Sequence, residues 1–295
     1  MDLPLVCLPN EGKGYKISVR GLKGGHSGAD IHLQRANANC LMGRILDVLQ
    51  HELEYDLVSV DGGNMDNAIC READAVIVLR NNCALHMREI LGEIQINLDV
   101  EFGNTEPNIM LYVEAVEEDI PMVLSEDTKE KIIQVLLQLP YGVQTMSADM
   151  EGLVESSNNI GIVKTLENTI YFDCAMRSSV EHKKIRIYDK VCSVAKQVGG
   201  IVEIVNDYPG WEYNPNSEML AFFGKVYEDM YGKAPRIEAI HAGLECGLFA
   251  QKMPGLDMVS IGPEMYDVHT PDERLSIAST LRVWDYLKTV LANIK

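Results

Sequence analysis

The sequence predicts an α+β domain running to about residue 206, followed by part of an α/β domain. Three observations carry that prediction. Short stretches rich in β-branched residues alternate with longer stretches of helical period. A cluster of turn formers, Asp207-Tyr208-Pro209-Gly210-Trp211 and then Asn214-Pro215-Asn216-Ser217, interrupts the chain. Beyond it, residues 236–240 and 257–261 read as strands among helices, with the continuous apolar character of strands buried on both faces.

In chain order, residues 15–20 read as a strand with Ile17 and Val19 on one face, and 21–28 as a glycine-rich turn. A helix is expected over 31–54, with Leu41, Ile45, Leu49 and Leu53 on one stripe. Strands follow at 57–60, ended by Gly62-Gly63, and at 75–79; then come a helix over 82–95 and a strand over 108–117. Ser125 caps the next helix, with Glu126 and Asp127 beside its positive end. Strands at 160–163 and 169–177 precede a helix over 181–198, stopped by Gly199-Gly200, and a strand over 201–205. The strand–helix–strand theme appears twice, without residue-level repetition. After the break, Ser217 caps a helix to about Tyr231, and a final helix covers 276–294.

A chain of 295 residues, 46% hydrophobic and 24% charged, can bury a core without disulfides. Its net charge of −18 argues against nucleic acid and anionic membrane surfaces, which need basic patches. No apolar run approaches the ~20 residues of a membrane span. The start, Met1-Asp2-Leu3-Pro4, does not open a basic-then-apolar leader. Seven scattered cysteines with no CxxC pair read as buried thiols in a reducing compartment, so a cytoplasmic location is expected.

Seven histidines are present. His51, His86 and His182 lie in charged helical surroundings and read as solvated surface groups; His32, in a first helical turn, reads as structural. His26 stands in Gly24-Gly25-His26-Ser27-Gly28, where the backbone can approach another group closely. An imidazole there is either a proton donor or ligand, or an incidental part of a tight turn. His269 follows the strand expected at 257–261, the place where α/β folds bind ligands; with carboxylates nearby it suits zinc, or else its loop only caps the last helix. His241 and Cys246 could form a nucleophilic dyad, though no partner acid is placed. Arg177, ending an apolar strand, either pairs with an internal carboxylate or grips a substrate carboxylate. Asn67 has the bland role of turn chemistry, and Glu117-Glu118 reads as a solvated edge.

Taken together these motifs resemble the Xaa-His (aminoacyl-histidine) dipeptidases, co-catalytic zinc peptidases related to carboxypeptidase G and aminoacylase. Gly21-Leu22-Lys23-Gly24-Gly25-His26-Ser27-Gly28 with Arg35-Ala36-Asn37-Ala38 is similar to the lid-domain signature. Asn67-Ala68-Ile69-Cys70-Arg71-Glu72-Ala73 resembles the NAIPREA segment with cysteine for proline. Glu155 to Gly161, Arg177-Ser178-Ser179, Tyr208-Pro209-Gly210-Trp211, Ile240 to Phe249 and Ser260 to His269 resemble further family segments. The resemblance implies an α+β lid/dimerisation domain at 13–206, preceded by a residual catalytic segment at 1–12 and followed by the C-terminal part of an α/β zinc-peptidase catalytic domain at 207–295. It implies His269 as a zinc ligand and His26 as the group that stabilises an oxyanion across a homodimer. Asn67 and Arg177 are implied as substrate-binding, Arg177 at the terminal carboxylate, with Gly243 as a backbone contact. Arg80, thirteen residues after Asn67, is a rival for that carboxylate.

The implied reaction is hydrolysis of a small peptide by water held on two zinc ions. The family's His-x-Asp and Glu-Glu ligand motifs precede its lid, and none of the seven histidines here is followed by x-Asp. The expectation is therefore a fragment, inactive or weak alone. The alternative is a non-catalytic dimerisation or binding module derived from the peptidase.

Overall fold

The computed structural model describes residues 1–10, 12–81, 83–239, 245–266 and 273–294. Contacts divide them into two compact units, one over Met1–Asp207 and one over Tyr208–Ala239 together with the described residues beyond 244.

The first unit holds strands β1 (Asp2–Pro4), β2 (Cys7–Pro9), β3 (Lys13–Arg20) and β4 (Gly25–His26), then helix α1 (Ala38–Glu52). It continues with β5 (Tyr55–Gly62), β6 (Ala68–Ile69), β7 (Ala73–Leu79), α2 (Ala84–Phe102), β8 (Met110–Ala115), β9 (Met122–Leu124) and α3 (Glu126–Gln138). β10 (Gly142–Met146), β11 (Val154–Thr165), β12 (Thr169–Ser178) and α4 (Glu181–Val198) complete it. The main sheet runs β1-β12-β11-β5-β7-β3-β8, with β10 added to β11. Its pairings are antiparallel.

Helical period and capping explain the helices. Leu41, Ile45 and Leu49 recur on one stripe of α1 and are buried, against Ile132, Ile133 and Leu136 of α3 in one core. The Asn37 side chain accepts from the amides of Asn39 and Cys40, and Ser125 accepts from Thr128 N, so each helix starts on a satisfied cap. β5 and β12 mostly alternate buried and half-buried residues, the pattern of a sheet with one covered face. In β11 the run Val154–Gly161 is buried throughout. The β4–β6 ribbon and a short 3₁₀ turn at Ile31–Leu33 contact it as well. Ile31, Ile69 and Val154 form a separate small core beneath that ribbon.

Within residues 1–12, expected as a residual catalytic segment, Asp2–Pro4 and Cys7–Pro9 form strands of this unit. β1 pairs with β12, the Met1 ammonium donates to Phe172 O at 2.8 Å, and β2 pairs with β9. The single helix expected over 31–54 is instead a 3₁₀ turn, a left-handed Gln34 (φ 52°) and a helix starting at Ala38. The break arises because Ile31 packs in the small core while Asn37 caps afresh. The strand expected at 201–205 reduces to one bridge, Ile201 with Asp2, and Ile204 and Val205 are exposed.

The second unit holds α5 (Glu218–Tyr231), α6 (Glu245–Lys252), the ribbon of β13 (Met265–Tyr266) with β14 (Arg274–Leu275), and α7 (Ile277–Asn293). Val226, Tyr286 and Val290 are its buried centre, with Phe223 and Tyr227 edge-on to Tyr286 at 6.0 and 5.5 Å. Ser217 caps α5 as expected; its hydroxyl donates to Asp257, which also accepts from Met219 N at 2.8 Å. The strands expected at 236–240 and 257–261 do not form over the described residues 236–239 and 257–261, where Ile237 and Ile261 stay exposed. A strand exists only through a ladder with neighbours, and none of the described strands pairs with these segments.

Candidate functional site

The β4–β6 ribbon gathers three of the five residues singled out from sequence. Gly25 and His26 pair with Ile69 and Ala68, and Ser27 N donates to Asn67 O at 2.8 Å. The Ser27 hydroxyl accepts from Arg177 Nε at 3.3 Å. A Cβ on Gly28 would lie 3.0 Å from the His26 ring and 3.6 Å from the Arg177 guanidinium carbon. His26, Asn67 and Arg177, far apart in sequence, thus surround one short turn.

The support comes from β11. Asn159 donates to both Asp66 O (2.9 Å) and Ala68 O (2.8 Å), fixing the segment that carries Asn67. Gly161 lets that segment approach, because a Cβ there would lie 2.5 Å from Asp66 O and 2.7 Å from Met65 O. Four ionisable side chains hold the turn from the other side. Arg71 donates to Leu22 O at 3.1 Å and buried Glu106 accepts from Lys23 N at 2.8 Å. Arg35 donates to Gly24 O at 2.5 Å, and Asp30 accepts from His26 N at 2.9 Å. These residues were missed as individual contributors; Arg35 and Arg71 lie inside the quoted motifs, while Asp30 and Glu106 lie outside them and carried no signal.

The imidazole orientation follows from backbone donors. Nδ1 of His26 accepts from Gly28 N (3.2 Å) and Ala29 N (3.1 Å), so a neutral ring carries its proton on Nε2. Burial pulls the Arg177 guanidinium below its usual pKa, opposed by the Asp66 carboxylate. Among the described residues Arg177 makes no ion pair, which suits a guanidinium kept for an anion. Arg80 is engaged elsewhere: it donates through Nε to both Asp56 oxygens at 3.0 Å and pairs with Glu126 at 3.4 Å. Its hydrogen bond to Asp56, more than any other influence, holds its pKa up.

Gly243, His269 and His241 lie outside the described residues. Cys246 sits at the start of α6, where burial and then Glu245 raise its thiol pKa, the reverse of what a thiolate nucleophile needs. His51 and His86 are exposed beside Asp47 and Glu89, as surface histidines. Among the described residues no three His, Cys, Asp or Glu side chains form a group that could hold a metal, and no helix is long and apolar enough to cross a membrane. All seven cysteines are free thiols.

A model of the peptidase dimerisation domain matches residues 17–106. The cytosol non-specific dipeptidase of Escherichia coli (strain K12) is 35% identical over 294 residues, covering 100% of this chain. The crystal structure of aminoacylhistidine dipeptidase from Vibrio alginolyticus superposes with a TM-score of 0.90 at 37% identity, again over 100% of this chain. The chain is thus similar along its whole length to these two dipeptidases, and residues 17–106 are similar to the peptidase dimerisation domain. It spans 60% of the length of each of these two relatives. The fold is accordingly that of the matched 60% of the Vibrio alginolyticus structure, with the dimerisation-domain match lying in the α+β first unit.

Proposed function

We propose that this chain serves metal-dependent hydrolysis of dipeptides of the Xaa-His type. The observation that carries the reading is the convergence of His26, Asn67 and Arg177 on one turn in a chain 37% identical to an aminoacylhistidine dipeptidase. Nε2–H of His26 donates to the oxyanion that develops on the scissile carbonyl. Arg177 pairs with the terminal carboxylate of the dipeptide, which restores a counter-charge to a guanidinium that burial disfavours. Asn67 orients the substrate backbone, with Gly243 as a further backbone contact.

Zinc is the proposed metal, with His269 as this chain's ligand; bound zinc would supply the activated water. A catalytic zinc needs about three protein ligands. None of the seven histidines is followed by x-Asp, the ligand pair that the resemblance implies beside His269, so the chain alone is expected to turn over weakly or not at all. A homodimer through the lid/dimerisation domain at 13–206 and a cytoplasmic location complete the proposal.

Zinc analysis with a hydrolysis assay on Ala-His and Gly-His tests the catalytic part. Binding of Ala-His compared with its C-terminal amide tests the recognition part. Zinc with turnover, or preference for the free carboxylate by roughly tenfold or more, supports the reading. The absence of zinc, turnover and carboxylate preference together would favour a non-catalytic dimerisation module.

A further inference from the structure

We propose that Asp30 and Arg35 are positioning residues that keep the His26 imidazole with its proton on Nε2. This rests on the oxyanion role proposed for His26 and deepens it. Asp30 engages both backbone groups of His26: its carboxylate accepts from His26 N at 2.9 Å, and its own amide donates to His26 O at 2.8 Å. These two bonds close residues 26–30 into a loop, which turns the Gly28 and Ala29 amides onto Nδ1 at 3.2 and 3.1 Å. With both donors there, Nδ1 serves as acceptor and the ring proton is held at the opposite nitrogen.

Arg35 completes the brace. Its Nη1 lies 3.9 Å from Asp30 Oδ2 and donates to Gly24 O, while the Tyr141 hydroxyl anchors its carbonyl at 3.1 Å. The pair also accounts for Gly25. At φ 141°, a Cβ on this residue would lie 2.6 Å from Arg35 Nη1 and 2.7 Å from Asp30 Oδ2. The two side chains occupy the space above a bare α-carbon, directly before the histidine. With side chains 25% and 32% exposed, their charge attraction is screened. Their directed hydrogen bonds therefore do most of the positioning.

A purely structural role would affect folding and leave the imidazole chemistry alone, so the test reads the imidazole. Long-range ¹H–¹⁵N correlation spectra of the ¹⁵N-labelled chain at pH 8 report which ring nitrogen carries the proton. The unaltered chain is expected to show His26 protonated at Nε2. In Asp30→Ala the ratio of the two neutral tautomers should fall about tenfold, the equivalent of roughly one hydrogen bond lost. Asp30→Asn, which keeps an acceptor for the His26 amide, is expected to retain the ratio. Should Asp30→Ala fail to fold, Arg35→Gln carries the same decision. A ratio changed less than about twofold in Asp30→Ala, or in Arg35→Gln where Asp30→Ala does not fold, overturns the proposal. No hydrolysis is read in this experiment, so its failure is distinct from failure of the dipeptidase reading, which the turnover and binding assays decide.

Discussion

Replacing Asn159 by alanine should loosen the site ribbon from the sheet. Asn159 is 1% exposed, and its amide donates to two carbonyls, Asp66 O at 2.9 Å and Ala68 O at 2.8 Å. Its oxygen also accepts from Asn37 Nδ2 at 3.4 Å. Alanine removes both short bonds and leaves two part-buried carbonyls short of a donor. At about 1 kcal/mol for each of the two bonds, and up to about 1 kcal/mol more for each part-buried carbonyl left short of a donor, the loss should be roughly 2–4 kcal/mol. Because Ala68 pairs with His26 and Asn67 O holds Ser27 N, the loss should appear first as local opening. Native-state hydrogen exchange at the amides of Ser27 and Ile69 is the appropriate assay, since two compact units make a single unfolding free energy ill-defined. Exchange should accelerate about 30- to 1,000-fold at these amides, while amides in the centre of α1 change little. An acceleration below about threefold would show that Asn159 does not secure the ribbon and that the support assigned to β11 is misplaced.

Four further outcomes are expected. Gly161→Ala forces a Cβ against backbone atoms of Met65 and Asp66 at 2.5–2.7 Å, so it should destabilise the first unit by about 1–3 kcal/mol in urea titrations followed at that unit. Arg177→Met should weaken binding of a free-carboxylate dipeptide by about 10- to 100-fold and leave the amidated dipeptide unchanged, as read by calorimetry. Asp257 accepts from Met219 N and Ser217, bonds that lower its pKa; its stabilising contribution is present above the unfolded value of about 3.9 and is lost as pH falls through the folded value. Asp257→Asn should therefore lower the melting temperature of the second unit at neutral pH by an amount that shrinks below about pH 4. Burial raises the Cys70 and Cys174 thiols to about 11 and pushes Cys40 up as well, so alkylation at pH 8 should modify exposed Cys7 first, by mass spectrometry.

The helices were largely legible because their signals are local. Ser125 and Ser217 cap the helices expected from them, and α4 occupies the predicted residues 181–198. The strands of the first unit were legible as elements, although their order was not. Tyr15 pairs with both Ile77 and Ala115, partners that no periodicity names. Where expectation failed, a non-local term decided. Residues 236–239 and 257–261 have strand-like composition and remain unpaired, while the helix expected from residue 31 broke at Gln34 because Ile31 joined Ile69 and Val154.

The sequence by itself determined which side chains could do chemistry. A histidine among glycines, an asparagine before a short apolar run and an arginine closing a strand are readable from residue type and spacing. Tertiary structure alone decided that the three share a turn, that the Nδ1 of His26 is occupied by backbone amides, and that Arg80 is bound to Asp56 while Arg177 makes no ion pair among the described residues. The physical reason is range. Caps and periodicities act over one or two helical turns, whereas Arg177 meets Ser27 across 150 residues through antiparallel pairing that only the folded sheet supplies.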